Sequence, residues 1–238
     1  FLKGADSVKT IDFSQRPTPT FDLFLILDSG SYDIVTGRKE IKLPEIKTII
    51  IDHHKTNNFS DVEIRLLDEK ASATAEIIYR LFSDWNFNID KNIATSLFSG
   101  IAGDTVFFKY SKNTKSTFKI ALNLLELGAD KNKLIDQAFD SFDFDLVRMI
   151  GEFLYNLKKE SSPAGKFVYS IINYETFVKF GKNRGARETV ANLFARSVKR
   201  FDFGFMAVEY EKGKFAVCFR SKKTDVSAIA KKLGGGGH

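Results

Sequence analysis

Two apolar runs near the N-terminus end abruptly in polar residues. Phe21–Leu27 (FDLFLIL) gives way to Asp28, Ser29, Gly30 and Ser31, and Lys47–Ile51 (KTIII) gives way to Asp52, His53 and His54. Short apolar runs of this kind, rich in branched residues and followed by turn signals, predict buried strands. The periodicity then becomes helical. Ala75, Ile78, Leu81 and Phe82 share one face of a helix expected over 73–85, with Ser72 as its cap. Asp90 is expected to cap a second helix, through Ile93, Leu97 and Ile101, that stops at Gly103-Asp104-Thr105. A third, over 115–127, turns Phe118, Ala121, Leu122 and Leu125 inward and stops at Gly128. Strands alternating with helices predict an α/β domain with a largely parallel sheet.

Residues 130–160 read as helical and amphipathic, and the polar stretch KKESSPAGK marks a boundary. A second α/β unit follows: a strand at 166–173, a helix at 188–199, strands at 203–210 and 214–220 joined by a hairpin around Gly213, and a helix at 226–233 capped by Thr224 or Asp225. The expected fold is α/β throughout. An N-terminal domain, residues 1–140, has a mostly parallel sheet flanked by helices. A helical linker, 141–165, joins it to a smaller C-terminal domain, 166–238, with a mixed sheet.

The 238 residues, 43% hydrophobic and 28% charged, have an ordinary globular composition. No apolar run approaches the ~20 residues that span a bilayer, and no signal-peptide pattern is seen in the first residues given. Cys218 is the one cysteine, so no disulfide forms within the chain, and a reducing, cytoplasmic location is expected. The net charge of +6 is uneven: residues 1–150 carry −3 and residues 151–238 carry +9. This asymmetry fits a cation-holding half and a phosphate-holding half, although a basic face is also ordinary solvated surface.

Parallel strands bring their carboxyl ends to one edge, where ligands bind in open α/β sheets. Asp28, Asp52, His53 and His54 all follow strand ends, and Asp104 follows a helix. Carboxylates and imidazoles together suit Mn²⁺, Zn²⁺ or Fe²⁺ better than Ca²⁺. A bridging carboxylate holds two ions ~3.5–4 Å apart, a spacing that clamps a phosphoester and activates water. Each residue alone also reads as a turn, cap or polar loop residue.

These stretches, with SATAEIIYRLF, LFSGIAGDTVFFKYSKNTKSTFKIALNLLELGAD and FRSKKTDVSAIAKKLGGGGH, resemble the DHH phosphoesterases, in particular those carrying a C-terminal DHH-associated domain. The second half is most similar to the members that degrade short RNA and dephosphorylate 3′-phosphoadenosine 5′-phosphate. The resemblance implies roles by position. Asp28 would bridge two divalent metal ions, Mn²⁺ first and Mg²⁺ as the alternative. His53 and Asp104 would be metal ligands. His54 would face the scissile phosphate, and Asp52 would orient its neighbours. The family's first motif, an acidic pair in a His-x-x-x-Asp-x-Asp-like segment, has no counterpart before Asp28; Asp6 and Asp12 lack its context. With the opening at Phe1, this leads to the expectation of a fragment cut at both ends that turns over little by itself.

For the C-terminal segment the resemblance implies phosphate capture by Arg220, with Ser221, Gly235, Gly236, Gly237 and His238 beside it. Arg offers a planar fork for phosphate, and glycine backbone admits an anion closely. Arg184 and Arg187 are weaker candidates, since a solvated loop explains them equally well. The phenylalanines read as packing rather than as base-stacking platforms, so recognition of one terminal nucleotide is expected. The implied activity is two-metal hydrolysis of short single-stranded RNA or DNA, or of a nucleotide, in a cleft between the domains. A cyclic-dinucleotide phosphodiesterase, a single-strand exonuclease and a non-catalytic nucleotide-binding module stay open, as does pairing of two copies.

Overall fold

The computed structural model describes residues 2–10, 21–37, 46–55, 57–109, 114–163, 165–183, 185–195, 197–221 and 225–233. The chain divides into two compact units, Phe1–Asp140 and Ser141–His238.

In the first unit, strands β1 (Leu23–Leu27), β2 (Lys47–Asp52) and β3 (Ile64–Leu67) form a parallel sheet in the order β1-β2-β3, with helix α1 (Tyr32–Thr36) between the first two. Leu27 pairs with Ile51, and Ile51 with Leu66, so the strands run out together at one edge. Helices α2 (Thr74–Asp84), α3 (Lys91–Thr105), α4 (Lys115–Glu126) and α5 (Lys131–Phe139) follow. Asp90 caps α3 as expected, accepting from the Asn92 and Ile93 amides. The core of these helices includes Leu97, Phe98, Ile101, Ile120 and Leu124.

Two helix faces differ from the sequence reading. In α4 the buried residues are Thr117, Ile120, Ala121 and Leu124, while Phe118, Leu122 and Leu125 are exposed. The inward stripe is turned by about one residue, because Thr117 packs inward to hydrogen-bond a buried carboxylate on α2. Ser72 is not the cap of α2: the N-cap is Ala73, and the Ser72 hydroxyl is held by Glu76.

The second unit opens with helix α6 (Phe144–Tyr155), then strands β4 (Lys158–Ser162) and β5 (Gly165–Ile172), helices α7 (Tyr174–Lys179) and α8 (Gly185–Val190), a π-turn at Ala191–Ala195, strands β6 (Phe203–Glu211) and β7 (Lys214–Ser221), and helix α9 (Val226–Lys232). Its sheet is mixed, in the order β4-β5-β6-β7, with only β5 and β6 parallel. The expected linker segment, 141–165, comprises α6 and β4. Met149 and Phe153 of α6 are fully buried with Phe177, Phe180, Val190 and Met206. The KKESS stretch forms an antiparallel edge strand, its backbone paired from Lys158–Tyr169 to Ser162–Gly165. The helix expected over 188–199 ends early, in the π-turn. There Ala195 approaches β6 so closely that a Cβ on Gly204 would lie 2.3 Å from its carbonyl oxygen. Asp225 caps α9, accepting from the Ser227 amide; Thr224 lies outside the described residues. Among the described residues no helix is long and apolar enough to cross a membrane.

Gly204→Ala is expected to cost about 1–3 kcal/mol by overpacking. Gly151→Ala, on α6 with open space around it, is expected to gain about 0.5–1 kcal/mol. Urea denaturation of the two variants, both in the second unit, checks the opposite signs.

Candidate metal centre

The amide of Asp28 donates to the Ile51 carbonyl at 3.1 Å, adding one rung to the β1–β2 ladder. Asp28 then adopts φ +56°, a left-handed conformation uncommon outside glycine. This turns the chain sharply, and the Asp28 side chain stands beside the residues that follow β2. Strain of this kind collects at sites that over-determine it. Here the Thr74 hydroxyl, at the start of α2, donates to Asp28 Oδ1 at 2.8 Å.

Asp52, the last residue of β2, is fully buried. Its Oδ1 accepts from the His53 amide (2.8 Å), the His54 amide (3.2 Å) and His54 Nδ1 (2.6 Å). Its Oδ2 accepts from Asn57 Nδ2 at 3.0 Å. Burial pushes the Asp52 carboxyl up, but the hydrogen bonds from His54 and Asn57 outweigh it and hold the group below the usual carboxylate range. Asp52 thus acts as a staple that curls the chain and fixes the His54 ring.

His53 is 8% exposed. Its Nδ1 lies 3.3 Å from the Ala71 carbonyl oxygen. A carbonyl only accepts, so this contact assigns the proton to Nδ1 and turns the Nε2 lone pair outward. Nε2 lies 3.4 Å from Asp104 Oδ2 and 3.6 Å from Asp28 Oδ1. His54 Nδ1 lies 3.9 Å from Asp28 Oδ1, and the two imidazoles meet edge to face at 4.7 Å. One ligand atom each from Asp28, His53 and His54 fits within 4.8 Å.

These distances fit a metal ion. Oxygen and nitrogen ligands at ~2.0–2.2 Å from one ion stand roughly 3–3.5 Å from each other, close to the separations between His53 and the two carboxylates. The donor set, with the carbonyl behind His53, suits a divalent cation.

Asp104 sits in the last turn of α3. The three residues that follow the helix, Val106, Phe107 and Phe108, all have positive φ, from 48° to 63°. Such a left-handed turn costs about 1–2 kcal/mol per residue. It is held by Phe107 and Phe108 packing on the helical core, and by amides bonded back to Ala102 and Thr105.

The candidates of the second unit are placed differently. Arg220 Nε donates to Asn192 Oδ1 at 2.7 Å, Nη1 to the Phe219 carbonyl at 2.8 Å, and Nη2 lies 4.0 Å from Glu188. Its fork is therefore partly engaged within its own unit. The Ser221 hydroxyl donates to the Asp202 carbonyl at 3.0 Å. Arg187 is half-buried, and its Nε has no hydrogen-bond partner among the described residues. Arg184, Gly235, Gly236, Gly237 and His238 lie outside the described residues.

Three supports were not singled out from the sequence: Asn57, Thr74 and the Ala71 carbonyl. Asn57 and Thr74 are polar residues near the motif, but only the fold reveals their aim. A backbone carbonyl leaves no signal in a sequence at all. The turn before Ala71 is set by Asp68, which accepts from the Lys70 amide and pairs with Arg80. The Arg80 hydrogen bond outweighs partial burial and holds the Asp68 carboxyl below its ordinary value of 3.8. A depressed carboxyl adds stability that is present above its unfolded-state value and is lost as pH falls through the folded one. Replacing Asp68 by Asn is expected to cost about 0.5–1 kcal/mol at pH 7, a difference that shrinks as pH falls below the ordinary carboxylate range, as read by urea denaturation at successively lower pH.

A model of the DHH family, N-terminal domain, matches residues 2–101. The chain is 28% identical over 197 residues to the bifunctional oligoribonuclease and PAP phosphatase NrnA of Bacillus subtilis, covering 81% of this chain and 60% of that protein. It is 29% identical over 111 residues to a probable manganese-dependent inorganic pyrophosphatase of Streptococcus equi, covering 44% and 36%. The chain spans 59–64% of the length of four of the curated relatives it matches. An exopolyphosphatase-related protein from Bacteroides fragilis has the same fold, with a TM-score of 0.88 at 23% identity over 100% of this chain and 71% of that one. Residues 2–101 thus match the N-terminal domain of the DHH family.

Proposed function

We propose that this chain is part of a metal-dependent phosphoesterase that hydrolyses short oligonucleotides, 3′-phosphoadenosine 5′-phosphate, or both. The observation that carries this reading is the convergence of Asp28 and Asp104 on His53 Nε2 at 3.6 and 3.4 Å. The names of the relatives support the substrate class: short RNA and PAP for the Bacillus subtilis protein, and manganese dependence for the Streptococcus equi pyrophosphatase.

Asp28, His53 and Asp104 would hold the cation, with Asp28 shared between two ions and Mn²⁺ the preferred metal. A divalent ion bound there supplies Lewis-acid polarisation of a phosphoryl oxygen and acidifies water. The remaining work falls to side chains. The Ala71 carbonyl keeps His53 in one tautomer. Asp52 fixes His54 beside Asp28, in position to stabilise charge on the phosphate or to assist the leaving oxygen. Arg220 would anchor the substrate's terminal phosphate, exchanging its bonds to Asn192 and the Phe219 carbonyl for phosphate oxygens. The charge-assisted fork favours that exchange.

Asp28→Asn and Asp104→Asn are each expected to lower Mn²⁺-dependent hydrolysis to below about 1% of wild type, through loss of a ligand, with the far-ultraviolet circular dichroism unchanged. The panel to measure is dinucleotides, 3′-phosphoadenosine 5′-phosphate, cyclic dinucleotides, pyrophosphate and long single-stranded DNA. Turnover confined to the first two fits the proposal, and turnover confined to any other refutes the substrate class. Arg220→Ala is expected to raise KM for short oligoribonucleotides by a loss of about 1.5–3 kcal/mol, with kcat little changed.

A further inference from the structure

Glu76 is a buried carboxylic side chain at 3% exposure whose hydrogen-bond partners are Ser72 and Thr117, none of them Asp28, His53 or Asp104. Three donors converge on its Oε2: the Ser72 amide at 3.2 Å, the Ser72 hydroxyl at 2.9 Å and the Thr117 hydroxyl at 3.0 Å. Among the described residues no cationic side chain pairs with it. A carboxylate buried among neutral donors is costly compared with an apolar side chain of the same size. Its position therefore calls for a reason beyond packing.

The reason lies in what its partners adjoin. Ser72 follows Ala71, whose carbonyl takes the Nδ1 proton of His53. Two residues later, Thr74 donates to Asp28 Oδ1. A single short segment thus steadies two of the three converging side chains. Glu76 ties that segment to Thr117, which is itself anchored. Thr117 is fully buried and closes a reciprocal cap with Thr114 at the start of α4.

We propose that Glu76 is a positioning residue for the metal centre. It locks the Ala71–Thr74 segment onto α4 and so fixes the His53 ring with Nε2 toward Asp28 and Asp104. The proposal rests on reading this site as a divalent-cation site, and it predicts that loss of Glu76 loosens His53 before it unfolds the domain.

The test uses the full chain and two readouts. Imidazole NMR of the metal-free protein follows exchange of the His53 Nδ1 proton with solvent, and calorimetric titration with Mn²⁺ follows affinity. In Glu76→Ala and in Thr117→Val, that proton is expected to exchange at least about tenfold faster and Mn²⁺ to bind about 10–100-fold more weakly. Glu76→Gln, which keeps an acceptor oxygen in the same place, is expected to restore both to within about threefold of wild type. A purely structural role would lower the melting temperature and move neither readout. Folded Glu76→Ala or Thr117→Val protein with wild-type exchange and affinity overturns the proposal. The NMR readout needs no metal, so it judges Glu76 even if the wild-type chain binds no Mn²⁺, an outcome that would instead sink the metal reading of the site.

Discussion

The hydrogen bond from the Asp28 amide to the Ile51 carbonyl sets the geometry of the site. It extends the parallel register of β1 and β2 by one rung beyond Leu27–Ile51. Asp28 and the Asp52-His53-His54 run are thereby delivered to the same sheet edge at the same height. A one-residue slip would move every side chain of a strand to the opposite face. The buried Ile26 and Ile50 make such a slip expensive. Burial of two isoleucines therefore fixes the position of four polar groups.

Around that edge, buried polar groups are satisfied in layers. Asp52 uses both oxygens to hold His53, His54 and Asn57. Ala71 and Thr74 reach in from the next segment to hold His53 and Asp28, and Glu76 holds that segment in turn. In a low-dielectric interior each such group is costly unless paired. The layers therefore tend to stand or fall together, and the imidazole of His53 has little freedom of tautomer or tilt. The left-handed turn after Asp104 follows the same pattern: aromatic packing offsets local strain and sets a carboxylate opposite His53.

Much of this was legible in the sequence. The strands ending in Asp28 and Asp52 were visible because branched apolar runs stop abruptly. The caps at Asp90 and Asp225, the stop at Gly128 and the hairpin at Gly213 follow from local turn and cap chemistry that needs no tertiary context. The inward face of α4 was misread by about one residue: hydrophobicity points to Phe118 and Leu122, whereas the fold uses Thr117 to satisfy Glu76. The strand at Lys158–Ser162 was hidden because an exposed edge strand needs no apolar pattern, only a partner. The π-turn at Ala191–Ala195 has no sequence signature, and only the close approach of Ala195 to Gly204 in the fold gives its position meaning. The supports of the site escaped for one reason: side-chain aim and backbone carbonyls are consequences of packing.

On the proposed reading, His53 Nε2, Asp28 and Asp104 share a divalent cation. Electron spin-echo spectroscopy of the full chain loaded with Mn²⁺ distinguishes this, because strong isotropic coupling between the manganese electron spin and an imidazole ¹⁴N requires a histidine nitrogen bound to the ion. The expected spectrum shows a directly coordinated imidazole nitrogen that vanishes in His53→Ala and persists in the Mn²⁺ still bound by His54→Ala. A spectrum without nitrogen coupling, or with coupling that survives loss of His53, would contradict it.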